Sequence, residues 1–154
     1  MTITLEAIEA KQSELSKLIE SFKSQPKRTE IEIAAATLSL AAGEHYAGLI
    51  LGEDGKPSHH LILLPGDVDE KSWSDAKSWA AEQGGELPTR REQSLLFANL
   101  KQHFESRYYW SAEEYETNVA YAWFQDFLYG NQYYHHKDLS ICRARAVRRL
   151  VFDN

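Results

Sequence analysis

The stretch from Arg107 to Arg149, RYYWSAEEYETNVAYAWFQDFLYGNQYYHHKDLSICRARAVRR, constrains the fold more than any other part of the chain. It holds seven of the eight Tyr and two of the four Trp, set between short turn signals. Aromatic residues favour pleated, half-buried strands over helix, so the segment is expected to be antiparallel β-sheet. Ala120 to Tyr129 reads as one strand, ended by Gly130-Asn131. A two-residue Gly-Asn loop suits a type II′ turn, because Gly accepts the positive φ of its first position. The return strand is then Gln132 to Lys137. That register predicts Tyr129 opposite Gln132, Phe127 opposite Tyr134 and Asp126 opposite His135, since opposed residues share a face. A strand from Tyr108 to Ala112 leads in through the polar loop Glu113 to Asn118, and a strand from Leu139 to Phe152 closes the chain.

Upstream, residues 4 to 23 read as a helix capped by Thr4, with Glu6 in its first turn to complement the helix dipole. Leu5, Ile8, Leu15, Ile19 and Phe22 follow a heptad a/d pattern interrupted at one a position by Gln12. Three heptads are near the lower limit for an isolated coiled coil, so two readings stand: packing on its own domain, or self-association into a homo-oligomer. A polar a position is a common device for fixing register and favours the second. Ser24-Gln25-Pro26-Lys27 breaks the helix, because proline cannot continue it. The expected division is residues 1–27 as helix and linker, and residues 28–154 as one domain.

Glu30-Ile31-Glu32-Ile33 alternates as an edge strand would, with Thr37 to Leu40 extending it. Tyr46 to Leu51 and His59 to Leu64 flank a turn-rich Gly52 to Pro57 and predict a hairpin. Two helices follow. Ser72 with Asp75 caps the first, whose Trp73, Ala76, Trp79, Ala80 and Gln83 trace one side before Gly84-Gly85 ends it. Thr89 with Glu92 forms a capping box for the second, which presents Leu95, Leu96, Leu100 and Phe104. Strands, two helices, then an aromatic sheet make an α+β plan.

Bulk properties narrow the classes of function. At 154 residues, 43% of them hydrophobic, the chain suffices for one globular core. No segment approaches the roughly 20 apolar residues that span a bilayer, so membrane insertion is not expected. Met1 to Glu6 has no basic region followed by an apolar run, so no signal peptide is expected, and the cytoplasm or a phage particle is the expected location. A net charge of -6 argues against nucleic-acid backbones as partners. Arg143, Arg145, Arg148 and Arg149 form a local basic cluster, with Arg143, Arg145 and Arg149 on one face of the last strand; pairing with carboxylates is favoured over an anionic-ligand patch. Cys142 is the sole cysteine, which leaves no intramolecular disulfide and favours a buried, inert thiol.

Several motifs then recur together: Gly84-Gly85-Glu86-Leu87-Pro88-Thr89-Arg90-Arg91-Glu92, Tyr109-Trp110-Ser111-Ala112-Glu113, Ala122-Trp123 with Phe127 and Gly130, and Arg145-Ala146-Val147-Arg148. In this order the chain, over about residues 60 to 151, resembles the Lcl C-terminal-like domain family, a bacterial and phage branch related to the C-type-lectin-like fold. The resemblance implies a compact mixed sheet flanked by two helices, with a loop-rich ligand surface around the later strands. It also implies roles such as those of adhesins, phage receptor-binding proteins and the variable proteins of diversity-generating retroelements. It places Trp110 and Trp123 at framework positions. The Glu-Pro-Asn, Gln-Pro-Asp and Trp-Asn-Asp calcium signatures of animal lectins are absent, so recognition is expected to be calcium-independent.

Catalytic chemistry finds little purchase. The formylglycine-generating relatives of this fold need redox-active or metal-binding cysteines, and there is no nucleophile elbow, phosphate loop or metallohydrolase motif. His59-His60 and His135-His136 are strand neighbours that point to opposite faces, so neither pair chelates a metal by itself, and His135 is preferred as a hydrogen-bonded partner of Asp126. Glu113, Glu114, Glu116 and Asn118 are oxygen ligands in one loop, and a solvated acidic loop is favoured over a cation site. No cofactor, metal or catalytic residue is assigned.

Tyr and Trp bring large contact area, few rotors and a polar tip to recognition surfaces. Tyr115, Tyr121, Tyr133 and Tyr134 are the surface candidates. Together with Glu113, Glu114, Glu116, Asn118 and His136 they make up the expected ligand site, at the end of the hairpin away from Gly130. The expected function is a non-enzymatic module that recognises a protein or a glycan. An intracellular phage-encoded inhibitor or adaptor acting on a basic host protein is the alternative, and a small enzyme with an unrecognised site the third.

Overall fold

The computed structural model describes residues 2–28 and 30–152. The chain divides into two compact units, Met1–Ile33 and Ala34–Asn154. In the first, Leu5–Ser24 forms α1, and the Thr4 hydroxyl accepts a hydrogen bond from the Ala7 amide, the expected cap. None of the α1 residues is buried: Leu5, Ile8, Leu15, Leu18, Ile19 and Phe22 are all exposed. No strand forms over Glu30–Ile33 or Thr37–Leu40. Alternation gives a segment two faces but no partner, and a strand exists only where a neighbour takes its main-chain hydrogen bonds.

The second unit is α+β, with two helices and two sheets. β1 (His45–Leu51) and β2 (Pro57–Leu63) form the expected hairpin, closed where the Gly52 amide donates to the Lys56 carbonyl at 2.8 Å. β3 (Val68–Lys71) leads into α2 (Trp73–Glu82), and α3 (Arg90–Leu100) follows. β4 (Tyr108–Glu114), β5 (Tyr121–Asp126), β6 (Gln132–His136), β7 (Cys142–Ala144) and β8 (Val147–Val151) complete the chain. The strands form one sheet in the order β1-β2-β8 and another in the order β3-β7-β4-β5-β6, where β4 and β7 run parallel.

Two sheets where one was expected follow from the split of the last strand. Arg145 is buried at the break and donates to the His103 carbonyl at 2.5 Å and the Leu64 carbonyl at 2.8 Å, while the Leu64 amide donates to Ala146. Those bonds turn the chain from the second sheet into the first. Arg143, Arg145 and Arg149 therefore share no face. Arg143 pairs with Asp67 and Asp69, Arg148 with Glu44, and Arg149 with Glu86 and Glu92, so three of the four arginines meet carboxylates as expected.

The aromatic hairpin keeps its partners but changes register. Gln132 faces Gln125, Tyr134 faces Trp123 and His135 faces Ala122, so the expected His135–Asp126 pair does not form. Strand β5 ends early because Phe127 turns inward; its amide donates to the Arg107 carbonyl, and its ring stacks on Phe104 at 4.0 Å and meets Tyr109 edge-on. Asp126 then caps a four-residue turn, accepting from Leu128 at its carboxylate and from Gly130 at its carbonyl. Gly130 does take a positive φ, 88°, but as the last residue of this turn, where a Cβ would lie 2.8 Å from the Phe97 ring. The displacement is four residues, an even number, so each side chain keeps its face.

Both helix caps form as expected, including the complete capping box of Thr89 and Glu92. α2 lays Trp73, Ala76 and Ala80 over one face of the second sheet, against Trp110, Ala122, Phe124, Cys142 and Ala144. α3 packs Leu96 and Leu100 among Leu61, Leu63, Tyr109, Phe127 and Val147, and so joins the two sheets. Each such Leu contributes roughly 1.5–3 kcal/mol by leaving water. Indole donors secure the irregular parts: Trp110 bonds the Lys71 carbonyl and Trp73 the Ser111 carbonyl, each at 2.8 Å. Burial, with the charge of Glu70, pushes the Cys142 thiol far above its usual range.

One buried carboxylate links these parts. Glu92 is 1% exposed and accepts from the Thr89 amide, from His59 Nε2 at 2.8 Å and from Arg149 through two bonds of 2.7 Å. Burial opposes its ionisation, yet Arg149, Thr89 and His59 together hold its pKa at about 2. Glu92→Ala is expected to destabilise the fold by about 3–5 kcal/mol, because it leaves Arg149 and His59 with an empty partner position; chemical denaturation measures this. A depressed carboxyl pKa stabilises the fold fully above its unfolded value near 4.5 and loses that contribution as pH falls toward 2. Acid titration followed by circular dichroism is therefore expected to show an unfolding slope in that window, reduced in Glu92→Gln.

Candidate functional site

β5 and β6 divide their side chains between two surfaces. Ala122 and Phe124 turn to the α2 side, whereas Tyr121, Trp123 and Gln125 turn to the side of α3, opposite His136, Tyr134 and Gln132. α3 covers only the Gln125 end of that second surface. Gln132 bridges there, donating to the Gln125 side chain at 2.8 Å and the Arg90 carbonyl at 2.7 Å, while Arg90 Nε donates back to it at 2.9 Å. Beyond this bridge the face is open and aromatic.

The open part is a locked slab. Tyr115 stacks on Tyr134, their centroids 3.8 Å apart and planes 10° from parallel. Trp123 meets both edge-on, at 5.6 Å and 5.3 Å, and Tyr121 stands edge-on to Tyr134 and His136. The Arg90 guanidinium lies 3.5 Å over the Trp123 ring, and the Trp123 indole donates to both Glu116 carboxylate oxygens at 3.2 Å. Edge-to-face and offset contacts of this kind each contribute about 0.5–1.5 kcal/mol beyond area burial. The loop beneath is equally fixed: the Tyr115 amide donates to the Tyr121 carbonyl at 2.9 Å, the Tyr121 amide donates to the Asn118 carbonyl, and Asn118 Oδ1 accepts from the Ala120 amide.

Of the nine residues singled out by sequence, Tyr115, Glu116, Tyr121, Tyr134 and His136 come together in this slab. The others do not face it. Glu113 turns back to accept from the Arg90 amide at 2.6 Å, compensating the N-terminus of α3. Glu114 pairs with Lys137, whose ammonium lies over Trp73 on the opposite side. Asn118 closes its own turn. Tyr133 lies on the α2 side, where its ring tilts against Phe124 at 6.0 Å. The acidic side chains thus diverge, and among the described residues no three of His, Cys, Asp or Glu are grouped so as to hold a metal ion.

Two members of the site escaped the sequence reading. Trp123 was expected in the framework beside Trp110; Trp110 is fully buried, but Trp123 is half-exposed at the centre of the slab. The Tyr121-x-Trp123 alternation carries that signal, since residues two apart share a face. Arg90 carries none, because its reach to Trp123 depends on where α3 begins. Beside it, a cavity of about 520 Å³ lies between the β1–β2 hairpin and the start of α3, lined in part by His59, Arg90, Arg91, Ser94 and Glu113.

A double-mutant cycle on Tyr115→Ala and Tyr134→Ala, read by chemical denaturation, is expected to give a coupling of about 0.5–1.5 kcal/mol with the fold retained. No family model and no curated protein matches the chain.

Proposed function

We propose that residues 34–154 form a non-enzymatic recognition module that binds a protein or glycan ligand through the slab of Tyr115, Tyr121, Trp123, Tyr134 and His136. The observation that carries this reading is the locking of partly exposed rings against one another on one face of a sheet. Rings already fixed lose little conformational freedom on binding, and Tyr and Trp combine an apolar face with a hydrogen-bonding tip. The ordered motifs that resemble the Lcl C-terminal-like domain family point the same way, and we propose the C-type-lectin-like fold on their account.

We further propose that α1 associates with copies of itself. Leu5, Ile8, Leu15, Ile19 and Phe22 make one exposed seam, and Gln12 sets its register. Several heads on one assembly would add avidity to weak individual contacts.

A pull-down from cell lysate beside a glycan array separates the two ligand classes, and Tyr115→Ala combined with His136→Ala is expected to lower binding in whichever assay responds while the melting curve is kept. Unaltered binding removes the slab from the proposal. Light scattering of the full chain is expected to give an oligomer that becomes monomeric in Leu15→Lys with Ile19→Lys; equal monomeric masses remove the seam.

A further inference from the structure

The two sheets have four edges, and three carry a feature that disfavours adding a strand. β1 is interrupted by two register shifts, and β8 is bridged by Glu86, which exchanges both main-chain bonds with Val147. β3 pairs irregularly with β7 and carries Asp69 and Glu70. Shifts, covers and charges of this kind are how sheets avoid unwanted strand pairing. β6 differs. It pairs with β5 at five consecutive positions without a shift, its sequence Gln-Tyr-Tyr-His-His holds neither proline nor lysine, and Tyr133 and Tyr134 are half-exposed on it.

The ladder bonds fix which groups face outward. Lys137 donates to the Ala120 carbonyl and Asp126 to the Asn131 carbonyl, so odd-numbered residues of this strand bond to β5 and Gln132, Tyr134 and His136 turn their main chain to the edge. His136 is closed off: its amide donates to His135 Nδ1 at 2.8 Å and its carbonyl accepts from Leu139. Among the described residues the outward main-chain groups of Gln132 and Tyr134 have no partner.

We propose that the Gln132–Tyr134 edge takes up a short, basic, extended segment of a protein partner as an added strand. This deepens the recognition reading and rests on it. Main-chain bonds to a sheet edge give affinity, and surfaces for alternate side chains give specificity. Both surfaces are present. On one side of β6 lies the Tyr134 slab; on the other, a cavity of about 620 Å³ is lined by Glu70, Arg107, Tyr108, Phe124, Tyr133 and His135, with Ile141. Tyr108 and Tyr133 tilt by 45° and 40° against Phe124 as two walls on a common floor, a fit for one inserted side chain. Charge selects the class of segment: around the two surfaces that flank this edge, the carboxylates of Glu70, Glu113, Glu114, Glu116 and Asp138 outnumber the cations Arg90, Arg107 and Lys137, on a chain of net charge -6.

The test selects binders to the full chain from a displayed library of random peptides and maps them by amide NMR. Enriched peptides are expected to be rich in Lys or Arg, to shift the Gln132 and Tyr134 amides and to slow their exchange with solvent. Tyr134→Pro removes an outward N–H at a position where an edge strand tolerates proline; it is expected to weaken binding roughly tenfold beyond Tyr134→Ala, which keeps the donor. Methylating alternate amides of the peptide is expected to do the same without altering the protein. The proposal is overturned if no peptide is enriched, if the shifts fall away from β6, if the consensus is acidic, or if binding survives peptide methylation. A lysate or glycan ligand that withstands Tyr134→Pro but is lost with Tyr115→Ala and His136→Ala leaves the recognition reading standing and removes strand addition alone.

Discussion

A carboxylate buried away from solvent holds this fold in register. Glu92 sits at the third position of α3, where it completes the capping box with Thr89, and the same two oxygens reach His59 on β2 and Arg149 on β8. One residue thus fixes where a helix starts and which strands it lies against. Taking such a charge out of water is costly, and the four donors outweigh that cost for the ionised carboxylate, whose pKa lies at about 2. What the arrangement provides is uniqueness: slide α3 by one turn and an ionised group is stranded in the core.

From that anchor the rest of the second unit follows. With α3 placed, Leu96 and Leu100 close the core between the sheets, and Gln93 donates to the carbonyls of Tyr109 and Trp110 in β4. Arg90, at the first turn of the same helix, is carried to Trp123, and its amide to Glu113. The aromatic face is therefore ordered from beneath by a helix terminus and from within by ring contacts. Burial, then Asp67, pushes the Tyr109 phenol well above its usual range, and its hydroxyl donates to Asp67 at 2.6 Å. Asp67 in turn meets Arg143, so β7 is tied to the strand before α2 by charge as well as by packing. Buried polar groups in this molecule act as positional pins between elements that are far apart in sequence.

Legibility varied with the range of the forces involved. The starts of both capped helices, α1 and the β1–β2 hairpin could be read with bounds within a residue or two, because caps, breaks and turn residues act over three or four positions, whereas α3 stops at Leu100 and Phe104, expected on it, is extended beyond a single turn of 3-10 helix. The edge strand at Glu30–Ile33 could not be judged by alternation, and β3, written in Val-Asp-Glu-Lys, carried no signal because its pairing is supplied by β7, more than seventy residues on. Five of the nine candidate site residues meet in one surface. Tyr133 and Glu114 were grouped with them by proximity in the chain, which does not say which side of a sheet a residue faces.

The amino-acid order by itself determined that the C-terminal third is aromatic sheet, that two capped helices precede it and that Gly130 lies in the turn between β5 and β6 with a positive φ, since these depend on side-chain volume, spacing of two or three and a glycine's conformational freedom. Only the tertiary structure decided the register of that turn and the break of the last strand into two sheets. Phe127 gains more by entering the core with Phe104 and Tyr109 than by extending a ladder, and Arg145 must satisfy its guanidinium on carbonyls 42 and 81 residues away. Such long-range contacts have no local signature, because each is set by a partner whose position exists only once the chain has folded.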